Sequence, residues 1–368
     1  MLNRERLQDT FIEMIKIYSP SKQEKEMCDY ILNWLSKRNI QATIDDAGSN
    51  YGGNGGNIVA YIPGTTSGMP ICFCAHLDQI EPCENVKPVI DGSIIKTDGT
   101  TTLGGDDKGG VAAILEAVED ILESDTPHRD IYLLFTVTEE LGMLGVKNMD
   151  MSKLPCKDLI VLDSAGDTGT IAYAAPAKEH IEITFNGKKA HAGIEPENGI
   201  NAIVVASKAI SKMHIGRIDE ETTSNIGEIC GGGATNVVTD KVKFIAEIRS
   251  HSMDKLQKEV EHMENCCKEA TDSMKATYIM EHSITYPTLH LDIESDICKI
   301  LIDAIKEEGI EPELLKIGGG SDANILCGHG YRSGIISIGM KDVHTVDESL
   351  DIDELCKATR IIRRIMEG

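Results

Sequence analysis

The chain has 368 residues, 41% of them hydrophobic and 4% aromatic, with 60 Asp and Glu against 36 Lys and Arg and a formal charge of −24. The length suits two domains, and the apolar content suits packed cores, which excludes a disordered chain. So acidic a surface repels phosphate backbones and argues against a nucleic-acid partner.

In chain order, residues 3–18 and 22–37 carry apolar side chains at helical spacing, with "SPSKQE" as a stop and a cap between them. Four short apolar runs follow, "NIVAYI" (57–62), "PICFCA" (70–75), "DIYLLFTVT" (130–138) and "DLIVL" (158–162). They are strand-length and nearly continuous in hydrophobicity, as in a sheet covered on both faces. "KGGVAAILEAVEDILES" (108–124) predicts a helix, and so does "ELGMLGVKNM" (140–149). The middle segment reads as strand 179–187, helix 198–214, strands 223–230 and 240–250, helix 252–270 and strand 275–284. That order, β-α-β-β-α-β, is the order of a ferredoxin-like sandwich. Strand 332–340 and helix 351–366 close the chain. The fold class is therefore α/β: a layered catalytic domain over 1–177 and 286–368, with a smaller domain inserted at 178–285.

Eleven cysteines occur without CxxC spacing and in odd number, which predicts buried free thiols in a reducing compartment. The start, "MLNRERLQDTFIEM", is charged and amphipathic and does not read as a signal peptide. No apolar run reaches the length of a membrane span. The expectation is a cytoplasmic protein with no membrane partner.

In open α/β sheets ligands bind beyond the carboxyl ends of the strands. His76 and Asp78 follow "PICFCA", Glu139 and Glu140 follow "DIYLLFTVT", and Asp163 follows "DLIVL". His344 lies just after "RSGIISIGM", and Asp106 and Asp107 open a helix in "GGDDKGG". Each has a plain alternative: a structural histidine, favourable charge at a helix start, a cap or a solvated acidic turn. Together they offer two imidazoles and several carboxylates, the ligand mix of zinc first, with cobalt or manganese as alternatives. Asp106 is placed to bridge two ions, and Asp78 to accept the second ring N–H of His76. Of the adjacent pair Glu139 and Glu140, one can bind metal while the other faces a water. That is the equipment of metal-assisted amide hydrolysis. A phosphate loop, a GxSxG elbow and HExxH are all missing from the sequence.

"AHLD", "GGDDKGG", "TVTEELGMLG", "VLDSAG" and "MKDVHTVDE", in this order, resemble the co-catalytic zinc exopeptidase superfamily, which includes tripeptidase T, glutamate carboxypeptidase, succinyl-diaminopimelate desuccinylase and aminoacylase. "KKAHAGIEPENGINAI" and "GGGSDAN" are most similar to the tripeptidase T group. The resemblance implies a mixed-sheet catalytic domain with an inserted lid and dimerisation domain. It implies one zinc held by His76, Asp106 and Asp163, and another by Asp106, Glu140 and His344. Glu139 would be the general base, Asp78 would orient His76, and the Asp106–Asp107 bond would be cis. Lys108 would be an outer or helix-start charge. His191 would stabilise the oxyanion, while Asn236, Arg249 and Ser321 would contact substrate. The implied activity is removal of the N-terminal residue from tripeptides by a homodimer. A dipeptidase, carboxypeptidase or N-acyl amino acid deacylase is the alternative.

Overall fold

The computed structural model describes residues 2–368. The chain divides into two compact units. The first runs to Ala174 and resumes over Leu289–Ile317 and Ser321–Gly368; the second comprises Ala175–Thr288 and Gly318–Gly320.

The first unit is built on a mixed sheet of twelve strands. Its centre is four neighbouring parallel strands, Ile131–Thr136, Ile71–His76, Asp158–Ala165 and Arg332–Lys341. Strand Ile71–His76 is buried at every position, so it reads as a continuous apolar run instead of alternating. Helix Gly105–Ser124 packs on that strand and against helices Arg4–Ile15 and Ile352–Glu367. The last of these buries Ile352, Leu355, Cys356, Thr359, Ile362 and Met366, the three- and four-residue spacing of one helical face. Because the central strands are parallel, their carboxyl ends share an edge. His76 stands opposite Thr136 in the register, and the segments carrying Glu139, Glu140 and His344 leave from the same edge.

The second unit is a five-stranded antiparallel sheet. Its strands lie in the order Gly216–Arg217, Thr222–Gly231, Lys241–Ser250, Ala177–Asn186, Thr277–Tyr286. With helices Ala202–Ile210 and Met253–Met274 this is the ferredoxin-like arrangement. Strand Ala177–Asn186 alternates strictly between buried and part-exposed positions, as one covered face requires. The first and last long strands are neighbours, with Lys178 opposite Tyr286. Phe185 is fully buried, its ring 6.0 Å from that of Phe244 and 6.5 Å from that of Tyr278. Phe185→Ala is expected to lower stability by about 3–5 kcal/mol, seen as an earlier urea midpoint. A loss below about 0.5 kcal/mol, as at a surface site, would contradict this packing.

Several elements depart from the sequence reading. The predicted helix over 140–149 is only Leu144–Lys147, because Gly142 (φ 89°) and Met143 (φ 59°) are left-handed and break the helix before it starts. The predicted helix over 198–214 is confined to Ala202–Ile210, capped by Asn201. Strand Gln41–Ile44, the hairpin Pro88–Asp91 and Ile94–Thr97, and helix Asp296–Glu307 lie outside the predicted elements. All cysteines are free, and all but Cys230 and Cys327 are buried. Among the described residues no helix is long and apolar enough to cross a membrane.

Candidate metal centre

His76 ends its strand with the ring 2% exposed and Nε2 2.9 Å from Asp106 Oδ1. The other oxygen of the same carboxylate, Asp106 Oδ2, lies 3.0 Å from His344 Nε2. His344 is in turn 3.1 Å from Glu140 Oε1. One carboxylate thus faces two imidazoles, one oxygen to each, which is the geometry of a bridging ligand. His76, Asp106 and Glu140 each offer a ligand atom, and those atoms lie within 4.8 Å of one another.

Local backbone geometry explains how Asp106 reaches this position. Asp106 and Asp107 depart from helical φ/ψ at the start of helix Gly105–Ser124. The bond between them is cis, as the resemblance implies. Asp106 faces the strand ends through His76 and His344, while Asp107 points back, accepting the backbone N–H of His76 at 3.3 Å and of Gly110 at 3.1 Å. Lys108 turns away from both and is fully buried. Its Nζ donates to Ile17 O at 2.9 Å and Gln79 Oε1 at 2.8 Å, and burial lowers its pKa to about 7.

Asp78 does more than the sequence suggested. His76 Nδ1 is closer to the Asp78 backbone oxygen (3.1 Å) than to its carboxylate (3.4 Å). The carboxylate chiefly holds the turn bearing the two glutamates: Oδ1 accepts the N–H of Glu139 at 2.9 Å, and Oδ2 that of Glu140 at 3.2 Å. Ser21 Oγ also donates to Oδ2 at 2.7 Å. Burial opposes ionisation of Asp78, but hydrogen bonds from His76, Ser21 and Glu139 outweigh it and keep its pKa below the usual range.

The electrostatics fit divalent cations. Burial, reinforced by the charge of Asp163, pushes the Glu139 carboxyl well above its ordinary range. Burial and the charge of Asp106 do the same to Asp163. Donation by His344 to Asp106, and the Glu140 carboxylate 3.1 Å away, raise its pKa to about 10. Negative charge is in excess, and only protons or cations can balance it. Glu140 Oε1 is also buried without a hydrogen bond of good geometry, an oxygen suited to a metal contact.

The remaining predicted residues are placed as follows. His191, Asn236 and Arg249 belong to the second unit. There His191 Nδ1 accepts the N–H of Gly193, and Asn236 is exposed. Arg249 pairs with Glu247 at 2.8 Å and donates to Gly318 O at 3.2 Å. Ser321, in the first unit, caps helix Asp322–Gly328 through the N–H of Ala323, within a capping box completed by Asn324. Sequence reasoning missed Ser21, Glu348 and the buried Asp322, whose carboxyl burial pushes up to about 6. Asp322 and Glu348 had a local signal, their places in "GGGSDAN" and "MKDVHTVDE"; Ser21 had none.

The sequence model of the family described as "Peptidase family M20/M25/M40" matches residues 75–368. The uncharacterized protein YqjE of Bacillus subtilis is 39% identical over 367 residues, covering 100% of this chain and 99% of its own. The crystal structure of aminopeptidase PepT from Bacillus cereus superposes with a TM-score of 0.94 at 36% identity, covering 100% of this chain and 98% of that one. A tripeptidase from Staphylococcus aureus superposes with a TM-score of 0.97 at 32% identity, with the same coverage. A family match spanning most of the sequence, relatives aligned end to end and a carboxylate-imidazole cluster at the strand ends lead to one assignment: the chain belongs to peptidase family M20/M25/M40 and is a metallopeptidase.

Proposed function

We propose that the protein is a two-metal aminopeptidase that removes the N-terminal residue of tripeptides. The observation that carries this reading is Asp106 facing His76 and His344 with its two oxygens, beside the buried Glu139 and the part-buried Glu140. The PepT and tripeptidase relatives support the substrate class.

His76, Asp106 and Asp163 would hold one ion, and Asp106, Glu140 and His344 the other. Zinc suits this donor set first, with cobalt or manganese as alternatives. Divalent cations held there supply Lewis acidity, polarising a carbonyl and making water acidic enough for a carboxylate to deprotonate. Glu139 takes the proton of the attacking water and returns it to the leaving amine. Asp78 keeps Glu139 and Glu140 at a fixed angle by holding both backbone amides. For the second unit we retain the roles implied by the resemblance: His191 as an oxyanion donor, Asn236 and Arg249 as substrate contacts, and the unit itself as lid and dimer surface. Ser321 is retained as a substrate-loop residue. Ile203 and Ile229, exposed on the second unit at 44% and 57%, support burial against another copy. A cytoplasmic location fits the free cysteines.

The test is a matched set of di-, tri- and tetrapeptides, free and N-blocked, incubated with zinc- and cobalt-loaded enzyme. Free tripeptides are expected to be cleaved at the first bond and N-blocked ones to be nearly inert, with activity lost on chelation and restored by metal. Equal turnover of blocked peptides would replace this reading by a carboxypeptidase or deacylase.

A further inference from the structure

Glu348 is 2% exposed, and its carboxylate is spent on backbone amides. Oε2 accepts the N–H of Leu103 at 2.7 Å and of Gly104 at 2.9 Å, and Oε1 that of Asp106 at 3.0 Å. These amides open helix Gly105–Ser124 and have no partner within it. Gly105 lets the carboxylate close on them, since a Cβ there would stand 3.0 Å from Glu348 Oε1. Glu348 also lies four residues after His344. One carboxylate therefore joins the segment bearing Asp106 to the segment bearing His344, whose side chains meet at 3.0 Å although 238 residues separate them in sequence.

We propose that Glu348 is a positioning residue for the metal centre, locking Asp106 and His344 together and thereby setting the affinity of the ion that both would hold. This rests on the two-ion reading above. Two of that ion's three protein ligands, Asp106 and His344, lie on the joined segments. Only Asp106 does so for the other ion. Losing the splint therefore weakens the two sites unequally. A role confined to stability would weaken both in parallel.

The experiment titrates cobalt(II) into metal-free wild-type, Glu348→Gln and Gly105→Ala full-length proteins, followed by visible absorption and calorimetry. Glutamine keeps the shape but turns an N–H₂ toward the amides. Alanine at 105 pushes on the same carboxylate from the other side, and it carries the test should Glu348→Gln not fold. In each variant the affinity for one ion is expected to fall by about 10–100-fold, with its cobalt spectrum altered and the other ion changed much less. Two wild-type ions with an unchanged ratio of dissociation constants in the variants would overturn the role of Glu348 alone. Fewer than two ions in the wild type would overturn the two-ion reading and this proposal with it.

Discussion

Glu139→Gln is expected to lower kcat by about 10²–10⁴-fold, the usual worth of a positioned general base, with both ions still bound. Glutamine matches glutamate in shape but cannot accept the proton. The contact that places residue 139 is its backbone N–H to Asp78, 2.9 Å long, which the substitution leaves intact. Metal content and unfolding midpoint should therefore match the wild type while single-turnover hydrolysis collapses. Glu140→Gln is the counterpart. Glu140 supplies one of the clustered ligand atoms, so its loss should lower metal stoichiometry as well as rate. If Glu139→Gln loses metal and Glu140→Gln keeps it, the roles of these neighbours are exchanged.

Asp106→Asn is expected to have a still broader effect. Each Asp106 oxygen faces a different imidazole, at 2.9 and 3.0 Å. An amide offers only one acceptor and turns N–H₂ toward the other ring. Removing one partner from a buried charged pair costs about 3–5 kcal/mol, so affinity for at least one ion should fall by about 10²–10⁴-fold, and hydrolysis with it. The backbone N–H of residue 106 stays held at 3.0 Å by Glu348, so the variant should fold. Elemental analysis after gel filtration and calorimetric titration with zinc provide the check. An Asp106→Asn protein that retains two tightly held ions would remove Asp106 from the bridging position.

Much of this centre was legible because its residues sit where the fold class requires. Strand Ile71–His76 announces itself by unbroken hydrophobicity, and the side chain ending it falls at the ligand-binding edge. The inserted unit was legible from alternation in strands such as Ala177–Asn186 and from the helical spacing in Met253–Met274. What was not legible depends on contacts distant in sequence. Ser21 reaches Asp78 across 57 residues and Glu348 reaches Leu103 across 245, and although Glu348 stands in "MKDVHTVDE", nothing in the sequence near either residue names its partner. The failed helix over 140–149 has the same origin. Its composition suits a helix, but Asp78 holds the amides of Glu139 and Glu140, and the left-handed Met143 postpones the helix to Leu144. "GGGSDAN" carried two meanings, of which the capping box was readable from Ser321 and Asn324 alone.

The pairing of Lys178 with Tyr286 bears on how such a chain can be interrupted at all. Where a long excursion leaves and returns through adjacent hydrogen-bonded strands, its ends are held together by its own folding, and the host experiences it as a tight connection. A floppy segment of the same length would impose a closure entropy that grows by about 0.6 kcal/mol with every doubling. The prefolded excursion removes that burden, leaving its outer surface free to vary without loosening the sheet that carries the carboxylate-imidazole cluster.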